Sequence, residues 1–155
     1  MPLYRLPDEP HPGSLAQLAV RPFWPLLGVM LGGAWLSWPW FVVNGFAVGS
    51  PTRKRELALA ACGFAGTIAL VTLILRVDQM YDLSRATANF ALLAITVWKL
   101  AISYSLFAHQ SRSFGLYEYY GGKVKNGVAV VLVAFFLEPR LVGSIPGVFW
   151  QLVLR

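Results

Sequence analysis

Residues 57–75, LALAACGFAGTIALVTLIL, form a run of 19 residues without a charge between Glu56 and Arg76. A helix that crosses the hydrocarbon core of a bilayer needs about 20 predominantly apolar residues, with a range of about 17–25. The run meets this length requirement. It therefore predicts a membrane-spanning helix, and it sets the fold class in which the rest of the chain is interpreted.

Three more apolar runs have comparable lengths. Together the four runs predict an all-α integral membrane four-helix bundle, with helices at about 22–46, 56–76, 86–108 and 127–153. The fourth helix is expected to be kinked or broken near Pro139, because proline removes a backbone donor from a helix. The N-terminal segment, residues 1–21, is expected to be irregular or interfacial because prolines interrupt it, and residues 22–155 are expected to form one transmembrane domain.

Two parts of this assignment leave alternatives open. Trp24 and Trp40 are about 24 Å apart along a helix axis, so they can mark the two faces of a short first span, with residues 42–49 as a turn. Residues 141–154 contain Gly143 and two further helix-weakening residues, Pro146 and Gly147. They can complete a kinked span or form a re-entrant or interfacial segment.

The composition favours a membrane location and excludes other classes of protein. Hydrophobic residues make up 57% of the chain and charged residues 13%, whereas an ordinary soluble domain carries about 25% charged residues. The 22 aromatic residues exclude a disordered chain, and the single cysteine, Cys62, excludes an internal disulfide. In so apolar a chain the net charge of +6 indicates contact with an anionic lipid surface, and we expect no nucleic-acid partner.

The basic residues are divided almost evenly between the two sides of a four-span topology. The side with the N-terminus, the second loop and the C-terminus has five, and the side with the first and third loops has six. Arginine and lysine concentrate in cytoplasmic loops. The dense group in the short first loop therefore leads us to expect loops 49–56 and 109–126 in the cytoplasm, with the chain in the inner or plasma membrane.

Three charges fall at membrane depth: Lys99 in the third run, and Glu138 and Arg140 in the fourth. A charge at the centre of a membrane helix costs about 2.5–3.5 kcal/mol on insertion scales, so it usually faces a partner inside the protein. Lys99 lies about 13 Å and Glu138 about 16 Å inside the same end of two antiparallel helices. This matching depth predicts an ion pair between them.

A polar stripe runs along the third predicted helix. The side chains that recur every seven residues are Asn89, Thr96, Ser103 and Gln110, and Lys99 lies on the same face. Such side chains commonly form hydrogen bonds between packed membrane helices, which predicts a buried seam. A water-filled or ion-conducting path along the same face is the alternative.

Two groups of residues are candidates for contact with lipid headgroups or a protein partner. The first is basic and lies in the first loop; the second is aromatic and basic and lies in the third loop, and tyrosine is enriched at interfaces. Their members are Arg53, Lys54 and Arg55, and Tyr117, Tyr119, Tyr120, Lys123 and Lys125.

The sequence contains no catalytic motif: no glycine-rich phosphate loop, no nucleophile elbow and no spacing typical of metal ligands. We therefore expect no enzymatic activity, no cofactor and no metal. The leading hypothesis is a non-catalytic subunit, scaffold or anchor of a larger membrane assembly, with the lipid bilayer and other membrane subunits or further copies of the chain as partners. The alternative is a small oligomeric channel or transporter that uses Lys99, Glu138 and the polar stripe.

Overall fold

The computed structural model describes residues 13–155, so the expectation for residues 1–12 lies outside the described part. The described residues are 82% helical, in six α-helices and one short 3-10 helix and without a strand, and the prediction of an all-α fold is confirmed. The helices are α1 (Phe23–Gly32), α2 (Ala34–Val48), α3 (Arg53–Tyr81), α4 (Arg85–Tyr119), α5 (Val128–Gly143) and α6 (Val148–Leu154), and a short 3-10 helix at Ser14–Leu18 precedes them.

The first predicted helix, residues 22–46, is two helices. Gly33 separates α1 from α2 and has a φ of 86°, a conformation that glycine adopts without steric cost. The chain folds back there, and a Cβ added to Gly28 would lie 2.8 Å from the Oγ of Ser37. The prediction of one continuous span was wrong, because it followed the uncharged run and gave no weight to the glycine pair at Gly32 and Gly33. We call α1 and α2 the N-terminal hairpin.

The two central helices are longer than predicted. α3 has 29 residues and α4 has 35, which correspond to about 43 Å and about 52 Å at the usual helical rise. α4 continues through residues 109–119, which the sequence assigned to a loop. This extension has a buried face, and its members are Gln110, Ser113, Phe114 and Tyr117.

The fourth predicted helix, residues 127–153, is also divided. Pro139 lies inside α5, and the break follows Gly143, in a turn where Gly147 has a φ of 96°. The break therefore falls later than predicted. Proline near the end of α5 removes one backbone donor without ending the helix, whereas the glycine-containing turn reverses the chain.

α6 turns back along α5 and ends at the bend of the N-terminal hairpin. The Ala34 N–H donates a hydrogen bond to the carbonyl oxygen of Arg155 at 3.3 Å, and a Cβ on Gly33 would lie 2.8 Å from the same oxygen. The last turn of α6 thus caps the N-terminus of α2, whose first N–H groups have no partner inside their own helix.

The relative directions of the helices follow from their contacts. The ring of Trp38 in α2 packs against Gly63 in α3, and Glu56 lies against Gly45, so α2 and α3 are antiparallel. α5 runs in the direction of α1, because its start contacts Trp24 and its middle contacts Gly32. The main core cluster lies between α1, α2, α3 and α4 and is formed by Val29, Ala34, Trp38, Phe41, Ala60, Ile102 and Leu106.

Residues 13–22, 49–56 and 109–127 meet at one end of the molecule, which we call the basic end. The amide of Asn44 joins the backbone of Val20 through two hydrogen bonds, of 3.2 and 2.6 Å, and the Lys125 N–H donates to Ala19 at 2.8 Å. The sequence placed the N-terminal segment on the side of the second loop. That placement was wrong for the described residues, because the N-terminal hairpin returns the chain to the end at which α3 begins.

α3 and α4 are long and apolar enough to cross a membrane. Only 22% of the most apolar window of α3 and 28% of that of α4 are buried within the chain. The outer faces of both helices therefore present apolar side chains that the described residues do not cover.

Candidate functional site

Lys99 lies in a cluster at the middle of the molecule, which we call the central cluster and define by Lys99, Glu138, Arg155 and the last turn of α6. The Lys99 side chain is buried, and its Nζ donates a hydrogen bond to the carbonyl oxygen of Leu152 at 2.7 Å. The last carbonyls of a helix have no intrahelical partner and carry the negative end of the helix dipole. The ammonium group therefore stabilises the C-terminus of α6.

Glu138 is buried in the same cluster and forms an ion pair with Arg155, with 3.2 Å between Oε1 and Nε. The predicted Lys99–Glu138 pair was therefore wrong. Both residues lie against the C-terminal segment, because α6 turns back and supplies a different partner to each of them. The Arg155 side chain is 77% exposed, so the ion pair has one buried and one open member.

The polar stripe of α4 is divided between the interior and the surface. Ser103 is buried, accepts a hydrogen bond from the Trp38 indole N–H at 2.9 Å and donates to the Lys99 carbonyl at 2.7 Å. Thr96 and Asn89 are exposed, and the Thr96 hydroxyl donates to the Leu92 carbonyl of its own helix. Arg140, on α5, is exposed as well.

A second polar cluster lies at the basic end around Glu56, and we call it the carboxylate cluster. The Glu56 side chain is fully buried. Its Oε1 accepts hydrogen bonds from the hydroxyls of Ser50 at 2.8 Å and Thr52 at 2.7 Å, and its Oε2 accepts from the Gln110 amide at 2.8 Å. The Ser113 hydroxyl lies 3.0 Å from that of Ser50 and extends the network to α4.

The carboxylate cluster joins α2, α3 and α4. The Gln110 amide also donates to the carbonyl of Phe41 in α2. Glu56 packs so closely on the backbone of Gly45 that a Cβ there would overlap the carboxylate. One side chain therefore ties the start of α3 to its two neighbours, and the N-terminal turn of α3 favours its negative charge.

The basic and aromatic candidates lie on or near the surface of the basic end. Arg53 stacks over the ring of Phe46 at 5.7 Å, and Tyr117 is buried, where it packs against Gly122. The remaining candidates are exposed: Lys54, Arg55, Tyr119, Tyr120, Lys123 and Lys125.

Clefts adjoin both of these clusters. The first, of about 360 Å³, lies beside Lys99, Thr96 and Leu152. The second, of about 520 Å³, lies at the basic end between the start of α3 and α4, and it is lined by Pro51, Thr52, Arg55, His109, Arg112, Ser113 and Leu116.

Sequence reasoning did not identify Glu56, Gln110, Arg112 or His109 as site residues. Glu56 was considered only as the charged residue that precedes the uncharged run at 57–75. The signal for a cluster was nonetheless present, because Ser50 and Thr52 precede Glu56 closely and Gln110 belongs to the seven-residue repeat of the polar stripe. The second cleft could not be predicted from the sequence, because residues 109–119, which include part of its lining, were assigned to a loop.

Comparison of the chain with family models, curated proteins and solved structures finds no match in any of the three. The chemical character of the clusters is therefore the guide to function. The buried charged side chains of the described residues have partners within the chain: Glu56 with neutral donors, Glu138 with an arginine and Lys99 with a carbonyl. Such arrangements stabilise packing, since each group has the partner that burial requires.

Proposed function

We propose that the protein is an integral membrane protein of the inner or plasma membrane that serves as a non-catalytic subunit or anchor of a larger membrane assembly. The observation that carries this proposal is the contrast between the interior and the outer surface. The buried charges are bonded within the chain, whereas the apolar outer faces of α3 and α4 remain uncovered. A core helix of a water-soluble protein is mostly buried, and these two are not.

The outer face of α3 supports association with another helix. Small residues recur along it at alternating spacings of four and three, and all of them are exposed: Ala58, Cys62, Ala65, Ala69 and Thr72. Within a bilayer no hydrophobic effect drives helices together, and small residues allow the close backbone approach on which association depends.

The proposed orientation places the basic end in the cytoplasm. Seven basic residues of the described part lie at this end: Arg21, Arg53, Lys54, Arg55, Arg112, Lys123 and Lys125. Arg76, Arg85 and Arg140 lie toward the opposite end. Because the N-terminal hairpin returns the chain, Arg21 lies at the basic end. The number of basic residues therefore differs between the two ends, whereas the four-span topology divided them almost evenly. The positive-inside rule then favours a cytoplasmic basic end.

A small channel or transporter is the second candidate function, and one observation favours it. The bend of the N-terminal hairpin at Gly33 meets the end of α6 beside Lys99 and Glu138. Interrupted helices that meet near the membrane midplane form the substrate and ion sites of many transporters.

The experiment that tests the proposed function is mass determination of the particle gently extracted from its native membrane. We expect a stoichiometric second protein in the wild-type particle, which Ala65→Leu on α3 displaces because the larger side chain prevents close helix approach. Ala94→Leu, at an exposed position of α4, is the matched control and is expected to retain the partner.

One result would contradict the subunit role, and another would contradict α3 as its contact face. A particle that contains only copies of this chain and supports an ion flux in liposomes would favour the transporter. A particle with a partner that both variants retain equally would remove α3 as the contact face.

A further inference from the structure

We propose that the second cleft binds the phosphate group of an anionic phospholipid, and we call it the arginine cleft. Arg55 enters it from α3, and Arg112 and His109 enter it from α4. This inference rests on the membrane location proposed above, but it does not depend on a protein partner. The volume of the arginine cleft, about 520 Å³, lies within the usual range of ligand sites, about 300–1,000 Å³.

The charge of the arginine cleft is not neutralised within the described residues. Neither arginine belongs to an ion pair there; the two ion pairs are Arg21–Glu118 and Arg155–Glu138. Glu56 is next to Arg55 in sequence, but its carboxylate is fully buried in the carboxylate cluster. The carboxylate oxygens of Glu56 accept hydrogen bonds from neutral donors. Glu56 therefore does not pair with Arg55, its neighbour in sequence.

The carboxylate cluster also fixes the wall of the arginine cleft. Thr52 and Ser113 line the cleft, and their hydroxyls are held by Glu56 and Ser50. The wall between α3 and α4 is therefore set before a ligand arrives, which reduces the entropy lost on binding.

The position of the cleft matches the depth of a lipid phosphate. Arg55 lies two residues before the uncharged run at 57–75, so the cleft adjoins the point at which α3 would enter the hydrocarbon. Leu116 and Pro51 add apolar lining suited to the glycerol portion of a lipid. Arginine binds phosphate through two parallel N–H···O bonds, which makes paired arginines a specific recognition element.

The test is a titration of phosphatidylglycerol into the detergent-solubilised chain, followed by native mass spectrometry. We expect Arg55→Gln with Arg112→Gln to weaken binding about tenfold or more, since each basic residue near an anionic headgroup contributes about fivefold. Lys123→Gln with Lys125→Gln removes the same charge from the same end outside the cleft and is expected to change binding less than about threefold.

A conservative variant separates recognition from charge and protects the test against misfolding. Arg55→Lys with Arg112→Lys keeps the net charge but removes the bidentate geometry, and we expect it to fold as the wild type and to bind phosphatidylglycerol several-fold more weakly. Equal losses of phosphatidylglycerol affinity in the Arg55→Gln/Arg112→Gln and Lys123→Gln/Lys125→Gln variants would overturn the proposal, because they would indicate an effect of general surface charge. An Arg55→Lys/Arg112→Lys variant that binds phosphatidylglycerol as tightly as the wild type would also overturn the proposal.

The source of the phosphate is tested with two further probes. Phosphatidylcholine is expected to bind more weakly than phosphatidylglycerol, because its headgroup has no net negative charge. Inorganic phosphate is expected not to displace phosphatidylglycerol at equal concentration. Displacement by inorganic phosphate would overturn the lipid assignment and identify a site for a soluble anion. The titration uses the isolated chain, so its outcome is distinguishable from the loss of the subunit role.

Discussion

Glu56 and Glu138 are both buried carboxylates, but they are held in different ways. Glu56, in the carboxylate cluster, accepts hydrogen bonds from three neutral groups, which come from the turn after α2 and from α4. Glu138, in the central cluster, pairs with one arginine whose side chain is mostly exposed. The first carboxylate fixes the geometry of three helices, and the second joins α5 to the end of the chain through a contact that solvent or lipid can reach.

The difference shows which buried charge the fold depends on. Removal of Glu56 would take away the acceptor that three donors share, and a buried donor that loses its partner costs more than the bond itself contributes. Removal of Arg155 would leave one carboxylate at the edge of a cleft lined by Glu138, Gln151 and Arg155. The carboxylate cluster is therefore expected to be the less tolerant of the two.

Glu56→Leu is expected to have the largest effect on stability. It removes the acceptor that the Ser50 and Thr52 hydroxyls and the Gln110 amide share, so we expect a loss of about 3 kcal/mol or more, or failure to fold. Thermal unfolding in detergent measures it. Glu118→Gln is the matched control, because Glu118 is an exposed acid at the same end paired with Arg21, and its loss is expected to cost at most about 1 kcal/mol. Equal stability of the two variants would contradict the role of the carboxylate cluster.

Gly45→Ala is expected to have the next largest effect. The added methyl group overlaps the Glu56 carboxylate, and overpacking of this kind costs about 1–3 kcal/mol. Gly115→Ala in α4 is the control, since a Cβ there meets nothing within 4 Å and alanine stabilises a helix by about 0.5–1 kcal/mol relative to glycine. Opposite signs of the two changes in melting temperature are the expected result; a neutral Gly45→Ala would show that the contact is loose.

A double-mutant cycle at the central cluster is expected to show the smallest effect and to decide between two pairings. Glu138→Gln and Arg155→Gln should be coupled by about 1 kcal/mol, because they form the observed ion pair. The coupling of Glu138→Gln with Lys99→Met should be smaller, since Lys99 bonds to the Leu152 carbonyl. If instead Lys99→Met largely rescued the Glu138 variant, the pairing predicted from the sequence would be correct and the observed one wrong.

The sequence was sufficient for the all-helical class and insufficient for the course of the chain. Uncharged runs report the length of an apolar segment, and they identified α3 and α4 correctly as apolar helices. They do not report whether a run crosses or turns back, because that depends on single glycines such as Gly33 and Gly147 with positive φ. Two of the four predicted helices were divided for this reason.

The same limit explains what was missed in the candidate sites. The pairing of Lys99 with Glu138 was predicted from their depth along two straight helices. Because α6 reverses direction, Lys99 bonds instead to the Leu152 carbonyl and Glu138 pairs with Arg155. The arginine cleft depends on the extension of α4 beyond residue 108, which turns Arg112 and Ser113 from loop residues into members of a helix face. Side-chain convergence of this kind follows only from the path of the backbone.

The most direct test of the membrane arrangement is the side from which the N-terminal segment can be labelled. Single cysteines at Ser14, Lys54 and Tyr81, in a Cys62→Ala background, report the N-terminal segment, the start of α3 and its end, and all three positions are exposed. In sealed membrane vesicles, an impermeant maleimide is expected to label Ser14→Cys from the same side as Lys54→Cys and from the side opposite Tyr81→Cys, because the N-terminal hairpin returns without crossing. Labelling of Ser14→Cys together with Tyr81→Cys would show that residues 22–46 cross the membrane as one span and would contradict the account.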